Sequence, residues 1–262
     1  MTKYVCQNCQ MPYPKTNLIH RCEKCGGVFS VQNLVYDPDA YSKVNLAGIW
    51  RFLPVFGLDE DCEPCYLGEG DTPLVPAMFE TKEVFFKCEH LNPSGSFKDR
   101  QSAVLLSVLK KRCIKEVLED SSGNAGASLA MYTAAFDVKA TIFIPSSSAG
   151  PKRQQIEMFG ANVVAVEGAR LNATKAVHHA QSESGIPYAS HAFLPFGLAA
   201  YATIAFEIYE KLGKMPTRVF APIGHGSLFL GLLIGFEAIE KATGLIRPKM
   251  IGVQAKNCSP VY

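Results

Sequence analysis

The sequence predicts an α/β protein: a three-layer arrangement in which helices cover both faces of a parallel sheet, preceded by a small metal-binding ribbon. Three observations predict it. From Asp71 onward, short β-rich runs alternate with longer segments of helical period. Six of the nine cysteines stand in three C-x-x-C pairs, two of them ahead of Gly26. Apolar residues make up 48% of the 262 positions and charged residues 19%, the composition of a chain able to bury a substantial core.

The ribbon comes first, over residues 1–35. Its Lys3–Ser30 stretch is short, polar and rich in turns, so it cannot bury much apolar surface alone. Cys6 and Cys9 form one knuckle, and Cys22 and Cys25 the other, twelve residues on. Four thiolates in two tight pairs suit tetrahedral Zn2+, and the metal would supply folding energy that so small a core lacks. The alternative is reduced structural cysteines or a disulfide pair. The flanking charge is sparse, which favours a structural or docking role over nucleic-acid binding. Cys62 and Cys65, in "LDEDCEPCYLGEG", have no second pair at ribbon spacing. Acidic neighbours raise a thiol pKa, so these two read as loop cysteines.

Strands are expected at 84–89, 116–120, 140–145, 162–167, 219–223 and 250–255, each a short β-branched or aromatic run. Helices are expected near 97–112, 125–136, 151–159, 169–184, 198–212 and 228–242. No internal repeat or low-complexity segment interrupts the alternation.

In open α/β sheets, ligands bind beyond the carboxyl ends of the strands. Three loops there are built for a small anion. The first is "LNPSGSFKDRQSA", where Pro93 and Gly95 shape a turn and Ser94 or Ser96 can cap the following helix. Lys98 falls in the first helical turn, where the helix dipole disfavours a cation. An amine that must be neutral, or tied up as an imine, gains a depressed pKa from that location. The second is "EDSSGNAGAS", in which the amides of Ser122, Gly123, Asn124 and Ala125 form an anion cradle at a helix start. The third is "APIGHGSLFLG", whose amides at Gly224, His225, Gly226 and Ser227 can wrap a phosphate, assisted by the Ser227 hydroxyl. It lacks the Gly-Lys-Ser/Thr ending of a Walker motif.

These runs carry a resemblance. "GEGDTPLVPA", "NPSGSFKDR", "SSGNAGAS" and "PIGHGSLFLG" resemble, in order and spacing, the fold-type II pyridoxal-phosphate enzymes. "GIWRF", the Phe of "GSFKDR", the ribbon, "AGPKRQQIEMFGANVVAVEG" and "YATIAFEIYEKLG" are similar to the threonine synthase branch. The resemblance implies the fold-type II architecture over residues 36–262, with a smaller subdomain over about 103–190 inserted in the larger one. It implies pyridoxal 5'-phosphate bound as an imine to Lys98, Asn124 on its phenolic oxygen, and Gly224, His225, Gly226 and Ser227 around its phosphate. Ser121, Ser122, Gly123 and Ala125 would hold the substrate carboxylate, together with Asn124.

The reaction implied is conversion of O-phospho-L-homoserine and water to L-threonine and phosphate. One lysine amine would act as base and acid in turn. Lys152 and Arg153, after "PSSSAG", are candidates for the substrate's phosphate, as are Ser94 and Ser96. His191 and His225 read as satisfied structural histidines near the site. Three features depart from the family pattern. Gln101 replaces a common Gly, "AAYAT" at 199–203 replaces a "GQKT"-like run, and the family normally continues well past "MIGVQAKNCSPVY". The C-terminal part is therefore expected to be incomplete, and the residue facing the pyridine nitrogen is not identifiable. The same scaffold also accommodates a threonine/serine dehydratase or another β-replacement enzyme. A truncated, non-catalytic binding protein is the reading from a different class.

The net charge of +2 gives no field to attract nucleic acid or an anionic membrane. Apolar runs fall short of the about 20 residues that span a bilayer, and no apolar signal core opens the chain. A cytoplasmic protein acting on a small amino acid is expected, and the family resemblance implies a homodimer.

Overall fold

The protein is described by a computed structural model over residues 2–59, 61–259 and 261. Strands β1 (Lys3–Cys6) and β2 (Phe29–Gln32) pair antiparallel, with Tyr4 opposite Val31. Their knuckle loops carry the four ribbon cysteines. The ribbon is fastened to the rest: the Tyr4 and Tyr13 rings meet Phe196 edge-on at 5.1 and 5.2 Å. Tyr4 Oη donates to the Phe56 carbonyl at 2.7 Å, and Arg112 Nη1 to that of Asn17 at 2.7 Å.

A short helix α1 (Pro38–Tyr41) is capped by Asp37, which accepts from Ala40 N at 3.0 Å. A 3-10 segment, Gly48–Phe56, then buries Ile49, Trp50, Phe52, Val55 and Phe56. It is stitched to "GEGDTP": Ile49 N donates to the Glu69 carbonyl, Gly48 N to Asp71 Oδ2, and Trp50 Nε1 to Glu69 Oε1. Gly70 adopts φ +91°, and a Cβ there would stand 2.4 Å from Ile49 N, so only glycine lets the two backbones meet.

Strands β3 (Leu74–Phe79) and β4 (Lys82–Lys87) form an antiparallel hairpin. This corrects the expectation of a parallel strand at 84–89. Its partner, "LVPAMF", was not expected as a strand; Pro76 and Ala77 weaken the pattern. Beyond it run α2 (Lys98–Lys111), β5 (Glu116–Glu119), α3 (Asn124–Ala135), β6 (Lys139–Pro145), α4 (Pro151–Met158), β7 (Asn162–Val166) and α5 (Arg170–Ser184). The strands make a parallel sheet in the order β5–β6–β7.

Alternation along these strands splits the core in two. Val117, Ile142 and Ile144 join the main core with Ala127, Leu129 and Ala130 of α3. Leu118 and Phe143 point the other way, onto Ala173 and Val177 of α5. The sheet is thus covered on both faces. Helix α6 (Phe196–Leu212), strand β8 (Arg218–Pro222), helix α7 (Ser227–Thr243) and strand β9 (Lys249–Val253) complete the chain, and β8 and β9 pair in parallel. The parallel strands therefore lie in two patches. Among the described residues, no helix is long and apolar enough to cross a membrane.

Candidate active site

The start of α2 is built by Asp99. Its carboxylate accepts from Ser94 N at 2.6 Å, Ser94 Oγ at 2.5 Å and Ser128 Oγ at 2.6 Å. The cap thus comes from within the helix, reaching back. Neither Ser94 nor Ser96 serves as the expected N-cap; Phe97 holds that position, and Ser96 Oγ lies a long 3.4 Å from Lys98 N. Both serines are buried under the turn. Because Ser128 belongs to α3, the same carboxylate draws the starts of α2 and α3 together. At Gly126, a Cβ would stand 2.0 Å from the Ser121 carbonyl, so α3 starts folded tightly onto its own loop.

Lys98 is buried, with 6% of its surface exposed. Its Nζ lies 3.1 Å from His225 Nε2 and donates to Tyr201 Oη at 3.2 Å. Burial pushes the amine down to about 8, opposed by the charge of Glu119. A buried amine poised near neutrality can be a nucleophile and a base. Tyr201 Oη donates to Gln101 Oε1 at 2.5 Å, and Gln101 Nε2 donates to the His191 carbonyl at 3.1 Å.

His191 Nδ1 is 2.8 Å from Glu119 Oε1, and the His191 ring meets that of His225 edge-on at 5.1 Å. Both histidines were expected to be structural; His191 is indeed satisfied by Glu119, yet the pair stands beside the Lys98 amine. His225 keeps an exposed edge while its ring nitrogen is packed inward. Partial burial, then the Lys98 charge, then His191, lower its basicity well below the usual imidazole range.

The two remaining loops converge on this amine. Ala125 of the first lines a small cavity together with Lys98, Glu119 and His191. His225 of the second touches Lys98 directly. Helices α3 and α7 both start without a side-chain cap, at Gly123 and Gly226, which leaves amides and a positive dipole end for an anion. A Cβ at Gly123, Gly224 or Gly226 would meet no atom within 4 Å, so there is open space beside these amides. Asn124 is exposed at the start of α3, Ser121 is buried, and Ser122 is half-buried. Ser190 Oγ, next to His191, is buried without a partner among the described residues. A buried reactive amine and two uncapped helix starts fit a phosphorylated aldehyde cofactor.

Lys152 Nζ donates to the Ser94 carbonyl at 3.2 Å and to Gln155 Oε1 at 3.0 Å, which brings it to the turn ahead of Lys98. Arg153 instead pairs with Glu157 and the Ser148 carbonyl on its own side of α4. A cleft of about 350 Å³ lies elsewhere, between Arg51, Asp71, Lys87, Glu207 and Glu210. Its charges are spent on each other, as Lys87–Glu207 and Arg51–Glu210.

In the ribbon, the sulfurs of Cys6 and Cys25 are 3.5 Å apart, those of Cys9 and Cys22 3.6 Å, and those of Cys9 and Cys25 3.5 Å. Tetrahedral zinc with Zn–S bonds of about 2.3 Å would separate sulfurs by about 3.8 Å, so the four can close on one ion. Cys62 and Cys65 are buried, and burial raises both thiols. A second cluster, Glu119, Asp120 and His191, is no match for a metal: Asp120 is committed to Tyr188, Thr174 and Arg170.

Fold and site together define a pyridoxal-phosphate enzyme. Residues 66–262 match the family described as "Pyridoxal-phosphate dependent enzyme", and the chain belongs to that family. Among curated proteins it is similar to the threonine synthase of Methanocaldococcus jannaschii, 33% identical over 273 residues, covering 98% of this chain and 66% of that protein. It is also similar to the threonine synthase of Methanosarcina acetivorans, 29% identical, covering 98% and 65%. The chain thus spans just under two thirds of the length of these relatives. The T.th. threonine deaminase superposes with TM-score 0.60 at 27% identity, covering 69% of this chain and 58% of that one. O-ureido-L-serine synthase, at 21% identity and TM-score 0.62 over 71% and 61%, shares the fold.

Proposed function

We propose that the chain, with pyridoxal phosphate bound at Lys98, converts O-phospho-L-homoserine and water to L-threonine and phosphate. The 3.1 Å approach of Lys98 Nζ to His225 Nε2 carries this reading, because it sets a buried amine beside the uncapped helix start to which we assign the cofactor phosphate. Likeness to threonine synthases over 98% of the chain supports the choice of reaction. The cofactor, when bound, supplies an electron sink for charge developing at the substrate α-carbon. The amides of Gly224, His225, Gly226 and Ser227 hold its phosphate. Asn124 holds its phenolic oxygen, and Ser121 to Ala125 hold the substrate carboxylate. Lys98 takes the α-proton and later returns a proton; an amine near 8 serves both directions at physiological pH. Lys152, at the turn ahead of Lys98, meets the substrate's phosphate, with Ser94, Ser96 and Arg153 as further candidates. Cys6, Cys9, Cys22 and Cys25 hold a structural zinc. Residues 103–190 form the smaller subdomain, and the assembly is a cytoplasmic homodimer.

The likeness to a threonine deaminase favours a second reading, a threonine/serine dehydratase. One experiment separates them. Pyridoxal phosphate is added and the visible band recorded; Lys98→Ala should abolish it. Phosphate release from phosphohomoserine supports the first reading, and a 2-oxo acid from threonine or serine the second. A folded protein that stays colourless in excess cofactor sinks both.

A further inference from the structure

We propose that His225 and Lys98 form a two-member proton relay, in which His225 exchanges protons with the lysine while Glu119 and His191 hold the His225 ring in place. The inference rests on the reading of Lys98 as the reactive amine. Glu119 is almost fully buried, and Asp120 N donates to its Oε1 at 2.9 Å. So fixed, its carboxylate receives Nδ1–H of His191 at 2.8 Å and the His191 amide at 3.2 Å. That bond sets the tautomer and leaves Nε2 as the open nitrogen of His191. The His191 ring in turn supports His225 edge-on, and His225 presents Nε2 to Lys98 Nζ at 3.1 Å. Gln101 completes the frame by holding both Tyr201 Oη and the His191 carbonyl. Glu119 and His191 are positioning residues; His225 touches the reacting nitrogen.

The chemistry gives the relay a use. A reaction that moves protons at more than one carbon asks a single amine to unload between steps. In the relay, the N–H bond of the Lys98 ammonium breaks, an N–H bond forms at His225 Nε2, and the reverse transfer restores both. No electrons move, and no other reactant is needed. The groups facing His225 are Lys98 from α2, His191 from the loop ahead of α6, and Ser227 from its own turn, with Glu119 behind His191 and Tyr201 of α6 on Lys98 Nζ. While Lys98 is charged, His225 stays a neutral acceptor. Once that nitrogen is uncharged, an opposing influence disappears and His225 becomes more basic.

The test uses nitrogen-15 histidine NMR of the cofactor-free protein across pH, with wild type, Lys98→Met and Glu119→Gln. His225 should titrate below the ordinary histidine range in wild type and at least tenfold more basic in Lys98→Met; an unmoved titration overturns the relay. Glu119→Gln should convert the single His191 tautomer into a mixture, and an unchanged tautomer also overturns it. In the holoenzyme, with rates taken per bound cofactor from the visible band, His225→Gln should exchange the substrate α-proton with solvent at least tenfold more slowly. Wild-type exchange at every pH would again overturn the proposal. A wild type without a visible band would sink the cofactor reading, whereas the NMR coupling would stand or fall separately.

Discussion

Lys98 shows how one position can be poised by opposing forces. Burial removes its hydration and lowers the amine; the carboxylate of Glu119 pulls the other way. Because only the neutral amine attacks an aldehyde, capture of pyridoxal phosphate should speed up as pH rises through about 8. Glu119→Gln removes the influence that keeps the proton on, so the midpoint of that rate should fall to lower pH. Stopped-flow growth of the visible band, measured across the neutral and mildly alkaline range, reads both midpoints. A midpoint that rises in the variant would contradict the assigned sign. Tyr201→Phe should be milder. It deletes one neutral hydrogen bond to Lys98 and strands the Gln101 carbonyl, a loss of about 1 kcal/mol, or roughly fivefold in capture affinity.

Among the elements, α2 matters most, because it carries Lys98 at one end and is anchored through Arg100. That guanidinium is fully buried and donates to Glu207 at 2.6 and 2.8 Å, to Glu89 at 2.7 and 2.8 Å, and to Thr203 at 3.0 Å. It ties α2 to α6 and to the turn ahead of α2. Lys87 adds a second cation to Glu207 at 2.5 Å. Arg100→Met would leave two carboxylates with too little positive charge, and should cost about 3–5 kcal/mol, read as a lower urea midpoint with the slope unchanged. Burial alone would raise the Glu207 carboxyl, but the Arg100 and Lys87 charges outweigh it and hold Glu207 down at about 2. Its folded pKa is depressed below the unfolded value of about 4.3. Its stabilising contribution is therefore complete above that value and is lost as pH falls towards about 2. Urea midpoints followed from neutral pH down to about 2 should drop steeply in wild type, and less so in Glu207→Gln.

At the scale of the molecule, the alternation of strand and helix was legible because each turn announces itself. Gly-Asn-Ala-Gly and Gly-His-Gly-Ser need backbone freedom that few residues allow, and apolar periods mark the rest. The β3–β4 hairpin was not legible, since its first strand holds a proline and lies largely exposed. In the site, the places of the three loops at helix starts could be read, for each is local. The Glu119–His191 pair could not, because 72 residues separate its members and only the fold joins them. Gln101 and Tyr201 were visible in the sequence only as departures from a family pattern; that they bind one another appears only in three dimensions. The ribbon raises the same issue of distance. Its rings of Tyr4 and Tyr13 brace Phe196, the first residue of α6, and His20 packs on Tyr188, whose hydroxyl donates to Asp120 beside Glu119. With the zinc proposed for its four cysteines, a domain that small would keep its shape only while the metal is bound. Chelation should therefore loosen the core as well as the ribbon. Two edge-on aromatic contacts and two hydrogen bonds to backbone carbonyls amount to about 3 kcal/mol, or a Tm lower by roughly 6–12 °C at this chain length. Cys22→Ser should reproduce the shift, and calorimetry with parallel zinc analysis measures it. If the ribbon melted alone, with the main transition and the cofactor band unmoved, the bracing of α6 by Tyr4 and Tyr13 would carry no energy.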